Sequence, residues 1–163
     1  MSVLGPILES TMADLDAEAG ECSGHLLAGL AAMGNGCLFC AYGHIYAANL
    51  LFFEETGALG PLDEQELAQL VTMTDPTLSA LLLERLDSSP WEAIRPRVQR
   101  LFALRMGAPA TPADQTLRLA IAAWALITEC SLQTPIHLAP PLHSRMARAR
   151  RLQRAHRSCR KVS

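Results

Sequence analysis

Three reactive side chains, Cys37, Cys40 and His44, stand close together in the stretch NGCLFCAYGHIYAANLLFFEETG that runs from Asn35 to Gly57. Between Leu38 and Glu55 there is no proline and a single glycine, Gly43. The run is long enough for a helix of about five turns. Asn35 is its expected N-cap, and Gly57 sits where it should stop. At about 100° per residue, Cys37, Cys40 and His44 share one face near the helix start. A helix N-terminus and a neighbouring imidazole both favour the thiolate, the nucleophilic form of cysteine. A neutral His44 can instead act as general base. A second thiol one turn away can resolve a sulfenic acid or a mixed disulfide. Ala41, Ala47 and Ala48 leave this side of the helix small, whereas Phe39, Tyr42, Tyr46, Leu50 and Phe53 load the rest. A helix apolar nearly all round belongs in a core.

Three other readings of the cluster compete with redox chemistry. Cys and His at these spacings are zinc ligands, but a tetrahedral site needs a fourth, and no second Cys-x-x-Cys lies near. Free cysteine is also among the most buried residue types, so the pair can be structural. Haem attachment requires His directly after the second Cys, where this chain has Ala41.

The elements that must hold the cluster are all read as helices. The chain has 163 residues, half of them hydrophobic and few aromatic, which fits one all-α domain with a real core. A first helix is expected over residues 3–19, ended by Gly20, and a second over 22–33. The Gly34-Asn35-Gly36 turn then leads into the cysteine helix. A connection this short makes antiparallel neighbours. Asp63 should cap a helix from Glu64 to Met73, with Glu66 in the capping-box position. Asp75-Pro76 opens another, to about Leu86. Ser88-Ser89-Pro90 caps a helix from Trp91 to Met106, and Thr111-Pro112 starts a last core helix to about Leu132. Beyond it, Pro135, Pro140 and Pro141 interrupt regular structure. The expectation is six or seven helices over residues 1–140 and a basic tail over 141–163, as readily mobile as helical.

The formal charge of −2 conceals an asymmetry. Arg145, Arg148, Arg150, Arg151, Arg154, Arg157, Arg160 and Lys161 put eight of the fourteen basic residues in the tail, beside no acid. The preceding 140 residues carry net −10. An acidic body with a basic tail invites tail-to-body or subunit contact. The tail lacks interleaved aromatics and any nucleic-acid module, so a nucleic-acid partner is not expected. No apolar run reaches the length of a membrane span, and the acidic start lacks the basic region of a secretory signal; the expected location is therefore cytoplasmic. The five cysteines have no disulfide-scaffold spacing. Cys22, Cys130, Met73, Trp124, Tyr42 and Tyr46 read as packing residues. Glu129, in an apolar helix, points to an interface, a basic partner or the cysteine pocket.

The stretch NGCLFCAYGHIYAANLLFFEETG resembles the signature of the AhpD-like alkylhydroperoxidase and carboxymuconolactone decarboxylase superfamily. The helix and NG turn before it, and LDEQELAQL after it, fit the same pattern, over about residues 20–87. The resemblance implies an AhpD-like helical fold, an oligomer, and a peroxidase centre in which Cys40 attacks, Cys37 resolves and His44 activates the attacking thiol. It implies a hydroperoxide or disulfide substrate, a protein dithiol as reductant, and no metal or other cofactor. The sequence departs from the pattern twelve residues before Cys37, where the family glutamate is replaced by His25. A relay Cys40–His44–His25 is then expected, with Glu21, one turn earlier, as substitute. His25 equally completes a four-ligand metal set with Cys37, Cys40 and His44, or is simply a part-exposed histidine near a helix start. The alternative function is a non-enzymatic helical oligomer whose cysteine pair senses redox state, binds metal or is a relic. A lactone-decarboxylase role is disfavoured, since such members do not work through the thiol pair.

Overall fold

The computed structural model describes residues 4–87, 91–133 and 145–161. Among these, eight α-helices and three short 3-10 turns account for the regular structure, without a strand. The helices are α1 (Leu4–Ala19), α2 (Glu21–Gly34), α3 (Leu38–Thr56), α4 (Leu67–Leu70), α5 (Asp75–Arg85), α6 (Arg95–Arg105), α7 (Gln115–Gln133) and α8 (Arg150–Arg160).

Two helices form the centre, and both are apolar on nearly every side. Every residue of α2 from Gly24 to Met33 is buried, and so is every residue of α3 from Gly43 to Phe52. The short turn between them makes them neighbours, as expected. They approach closely because Gly29 has no side chain: a Cβ there would stand 2.7 Å from Ile45 Cδ1 and 3.2 Å from the Ile45 backbone nitrogen. On its other sides α2 is covered by α1, α6 and α7. Leu27, Leu30, Phe102 and Trp124 interlock there with no more than a trace of exposure. Gly57, in the left-handed region, ends α3 where the sequence placed the stop.

Several expected boundaries shift, and tertiary contacts explain them. The helix expected from Glu64 to Met73 contracts to the single turn α4. Asp63 does accept from the Gln65 N–H (2.9 Å), and Glu66 accepts from the Asp63 N–H (3.3 Å). But Glu64 turns inward and Glu66 is drawn to Arg85 (2.8 Å), so no extended helix follows the cap. Met73, read as core, is 37% exposed just beyond it. The helix expected from Trp91 begins as a 3-10 turn (Trp91–Ala93) before α6, whose second residue, Pro96, offers no N–H to a preceding turn. The last core helix is likewise preceded by a 3-10 turn, Pro112–Asp114, closed by a reciprocal capping box between Thr111 and Asp114. α1 to α7 answer to the expected helices, and α8 takes the count of described α-helices to eight, above six or seven. The Ser88-Ser89-Pro90 cap, the start of the first helix at Val3, and Pro135, Pro140 and Pro141 lie outside the described residues.

Within the basic tail, the described residues 145–161 are largely helical and packed. A 3-10 turn (Arg145–Arg148) and α8 lie on α3, with Met146 buried against Tyr46, Leu50 and Leu51. His156 has no exposed surface. Arg160 reaches Glu64 (3.0 Å), Asp63 (3.4 Å) and the Leu62 carbonyl oxygen (3.0 Å). The expected attraction between tail and acidic body therefore operates within one chain. No helix among the described residues is long and apolar enough to cross a membrane.

Candidate functional site

The chain leaves α2 through Asn35 and Gly36, and Cys37 becomes the N-cap of α3. Asn35, expected in that role, instead uses its side chain elsewhere: Oδ1 accepts from Arg105 (3.0 Å) and Nδ2 donates to the Ile121 carbonyl oxygen (3.5 Å). A thiol at the cap has a direct consequence. The Cys37 sulfur accepts from the Cys40 backbone N–H at 3.4 Å, and the Cys40 sulfur stands 2.7 Å away.

These contacts pull the two thiols apart in acidity. The bond between the two sulfurs, in which either thiol can donate, is the largest influence on Cys37, and against the cost of burial it brings that thiol down to about 6. The backbone N–H groups of Cys40 and Phe39 and the Thr128 hydroxyl act in the same direction. Cys40 is pushed far up, first because its proton is held in the bond to Cys37, then by burial and by the charge on Cys37. The asymmetry follows from position: the first free N–H groups of a helix converge on its cap, not on a residue already within the first turn. The N–H groups at the cap favour the charge on Cys37, whereas the family pattern makes Cys40 the attacking thiol.

His44 lies one turn beyond Cys40 on α3, and His25 reaches it from α2. The two rings meet through their Nδ1 atoms at 2.9 Å, so one nitrogen donates and the other accepts. Only 3% of His25 and 4% of His44 is exposed, and Trp124 of α7 sets its ring edgewise to His44 at 5.1 Å. His25 is thus no part-exposed histidine. Of the three residues of the expected relay, His44 and His25 are in contact, and Cys40 lies one turn from His44 along α3. Glu21, the first residue of α2, acts on other groups: burial, assisted by its charge, raises Asp16 to about 6 and Cys22 to about 11. The contact between the two Nδ1 atoms takes up one nitrogen of each ring. Among the described residues no three His, Cys, Asp or Glu side chains are arranged to hold a metal ion.

The remaining cysteines stand apart from the pair. The Cys22 thiol is part-buried, donates to the Ala48 carbonyl oxygen (3.4 Å) and is held neutral chiefly by burial. Cys130 is half-buried and Cys159 exposed. Glu129 is exposed on α7. Two contributors escaped the sequence reading. Thr128 was visible as a hydroxyl in an otherwise apolar helix, though nothing in the sequence aimed it at Cys37. Arg105 gave no signal, because an arginine in the last turn of a helix is ordinary. Neither a family model, nor a curated protein, nor a solved structure matches the chain.

Proposed function

We propose that this chain is an AhpD-like thiol-dependent peroxidase or disulfide oxidoreductase working through Cys37 and Cys40. The observation that carries the reading is the approach of the Cys37 and Cys40 sulfurs to 2.7 Å, with the Cys37 sulfur capping α3 and accepting the Cys40 backbone N–H. In the peroxidase reaction the Cys37 thiolate attacks the terminal oxygen of a hydroperoxide. The O–O bond breaks, the alcohol leaves with a proton, and Cys37 becomes a sulfenic acid. Cys40 then gives up its proton and attacks the Cys37 sulfur. Water departs and an internal disulfide forms. The buried His44–His25 pair provides the proton acceptor one turn from Cys40. A protein dithiol returns the disulfide to two thiols. Cytoplasmic location and an oligomeric assembly belong to the same reading.

Two features refine it. The family pattern assigns attack to Cys40 and resolution to Cys37; the local electrostatics favour the opposite order. Only 8% of Cys37 is exposed, which favours a small hydroperoxide over a bulky protein disulfide as the first electrophile.

The test is peptide mass spectrometry of the reduced protein after one equivalent of hydroperoxide. Wild type should lose two hydrogens, mapped to Cys37–Cys40. Cys40→Ser should stop at a sulfenic acid on Cys37, trapped by a dione reagent, and Cys37→Ser should not react. Sulfenic acid on Cys40 in Cys37→Ser would restore the order of the family pattern. Unchanged thiols in wild type would overturn the peroxidase reading.

A further inference from the structure

Arg105 ends α6, far along the chain from the cysteines, yet its guanidinium is spent on the turn before Cys37. Only 10% of the side chain is exposed. Nε donates to Asp75 Oδ1 at the start of α5 (3.1 Å). One terminal nitrogen donates to Asn35 Oδ1 (3.0 Å), and the other to the Gly34 carbonyl oxygen. That approach depends on residue 34 being glycine, because a Cβ there would run into the guanidinium. Asn35 is also tied to α7 through the Ile121 carbonyl oxygen. Beyond it, Gly36 takes φ +76° and the Cys37 N–H returns to the Ala32 carbonyl oxygen (3.1 Å). α6 and α7 thus meet at Gly34 and Asn35, with Asp75 of α5 bracing Arg105, and only Gly36 separates Asn35 from Cys37.

We propose that Arg105 is a positioning residue for the dithiol: by clamping Gly34 and Asn35 it holds Cys37 at the N-cap of α3. The inference rests on the thiol chemistry proposed for Cys37 and Cys40. Arg105 bonds to neither sulfur and acts through the backbone. The 3.4 Å N–H···S contact has little slack, and a small swing of the turn would carry the sulfur out of the field of the first N–H groups. The planar fork is what allows one side chain to hold the Gly34 carbonyl, the Asn35 amide and the Asp75 carboxylate together. Lysine can pair with Asp75 but cannot reproduce that geometry.

The experiment measures the pH dependence of Cys37 alkylation by iodoacetamide, read by peptide mass spectrometry, beside thermal unfolding. Wild type should titrate with a midpoint near 6, as expected of the capped thiol. Arg105→Met and Arg105→Lys should raise the midpoint by about one pH unit, slowing alkylation at pH 6 about fivefold. Should either fail to fold, Asn35→Ala, which removes the acceptor from the same clamp, should move the midpoint the same way. A fall in thermal stability with the midpoint unmoved would make Arg105 merely structural and overturn the proposal. A wild-type midpoint near that of an ordinary thiol, about 8.5, would instead overturn the thiolate reading on which it rests.

Discussion

The Cys37 sulfur meets the Cys40 sulfur where α3 first offers unpaired N–H groups, and the sulfur contact first, then those N–H groups, lower its pKa against the cost of burial. Its acidity in the folded chain is enhanced, with a value of about 6. For an acid whose folded value is depressed, the stabilisation is fully present above the unfolded value, about 8.5, and is lost as pH falls through the folded value. Alkylation should therefore climb through pH 6 and level off above about 7. The single proton of the Thr128 hydroxyl goes either to the Trp124 carbonyl oxygen (2.8 Å) or, when the O–H turns, to the Cys37 sulfur, where it assists the thiolate. Thr128→Val keeps the shape and removes the hydroxyl. It should raise the alkylation midpoint by about half a pH unit; an unchanged profile would remove Thr128 from the site.

The elements that support the site divide into an apolar set and a polar one. α2 and α7 meet α3 through side chains whose types announce burial. α8 is held by a different kind of contact: Leu152 and Met146 supply a small apolar patch, the buried His156 ring packs on Phe53 and Tyr46 of α3, and Arg160 pairs with Glu64 and Asp63, with Asn49 also bonding Glu64 (2.9 Å). Glu64 and Arg160 are both largely buried, so removing one charge leaves the other desolvated, at a cost of about 3 kcal/mol. Arg160→Met should release α8 from α3. Trypsin, which cuts after arginine, should then cleave within residues 150–157 much faster than in wild type while the body resists. Equal protection of the two proteins would show that the apolar patch suffices.

At the scale of the molecule, the crossing of α2 and α3 sets both the core and the histidine pair. Gly29→Ala would force Ile45 away, at about 2 kcal/mol, and should lower the thermal midpoint. It should also separate His25 from His44, altering the imidazole nitrogen signals in an NMR spectrum; retained signals would show that the core absorbs the methyl group elsewhere. The all-helical class, the adjacency of α2 and α3, the end of α3 at Gly57 and the nearness of Cys37, Cys40 and His44 were legible in the sequence. Each depends on short-range regularities: helical period, glycine punctuation and turn length. The length of α4, the cap at Cys37 and the docking of α8 were not, because each is decided by partners distant in the chain. Glu66 answers to Arg85, Asn35 to Arg105 and Arg160 to Glu64. The sequence determined which groups could do thiol chemistry; which of the two sulfurs caps α3 and meets its free N–H groups depended on backbone direction at a single turn, and that is a property of the packed molecule.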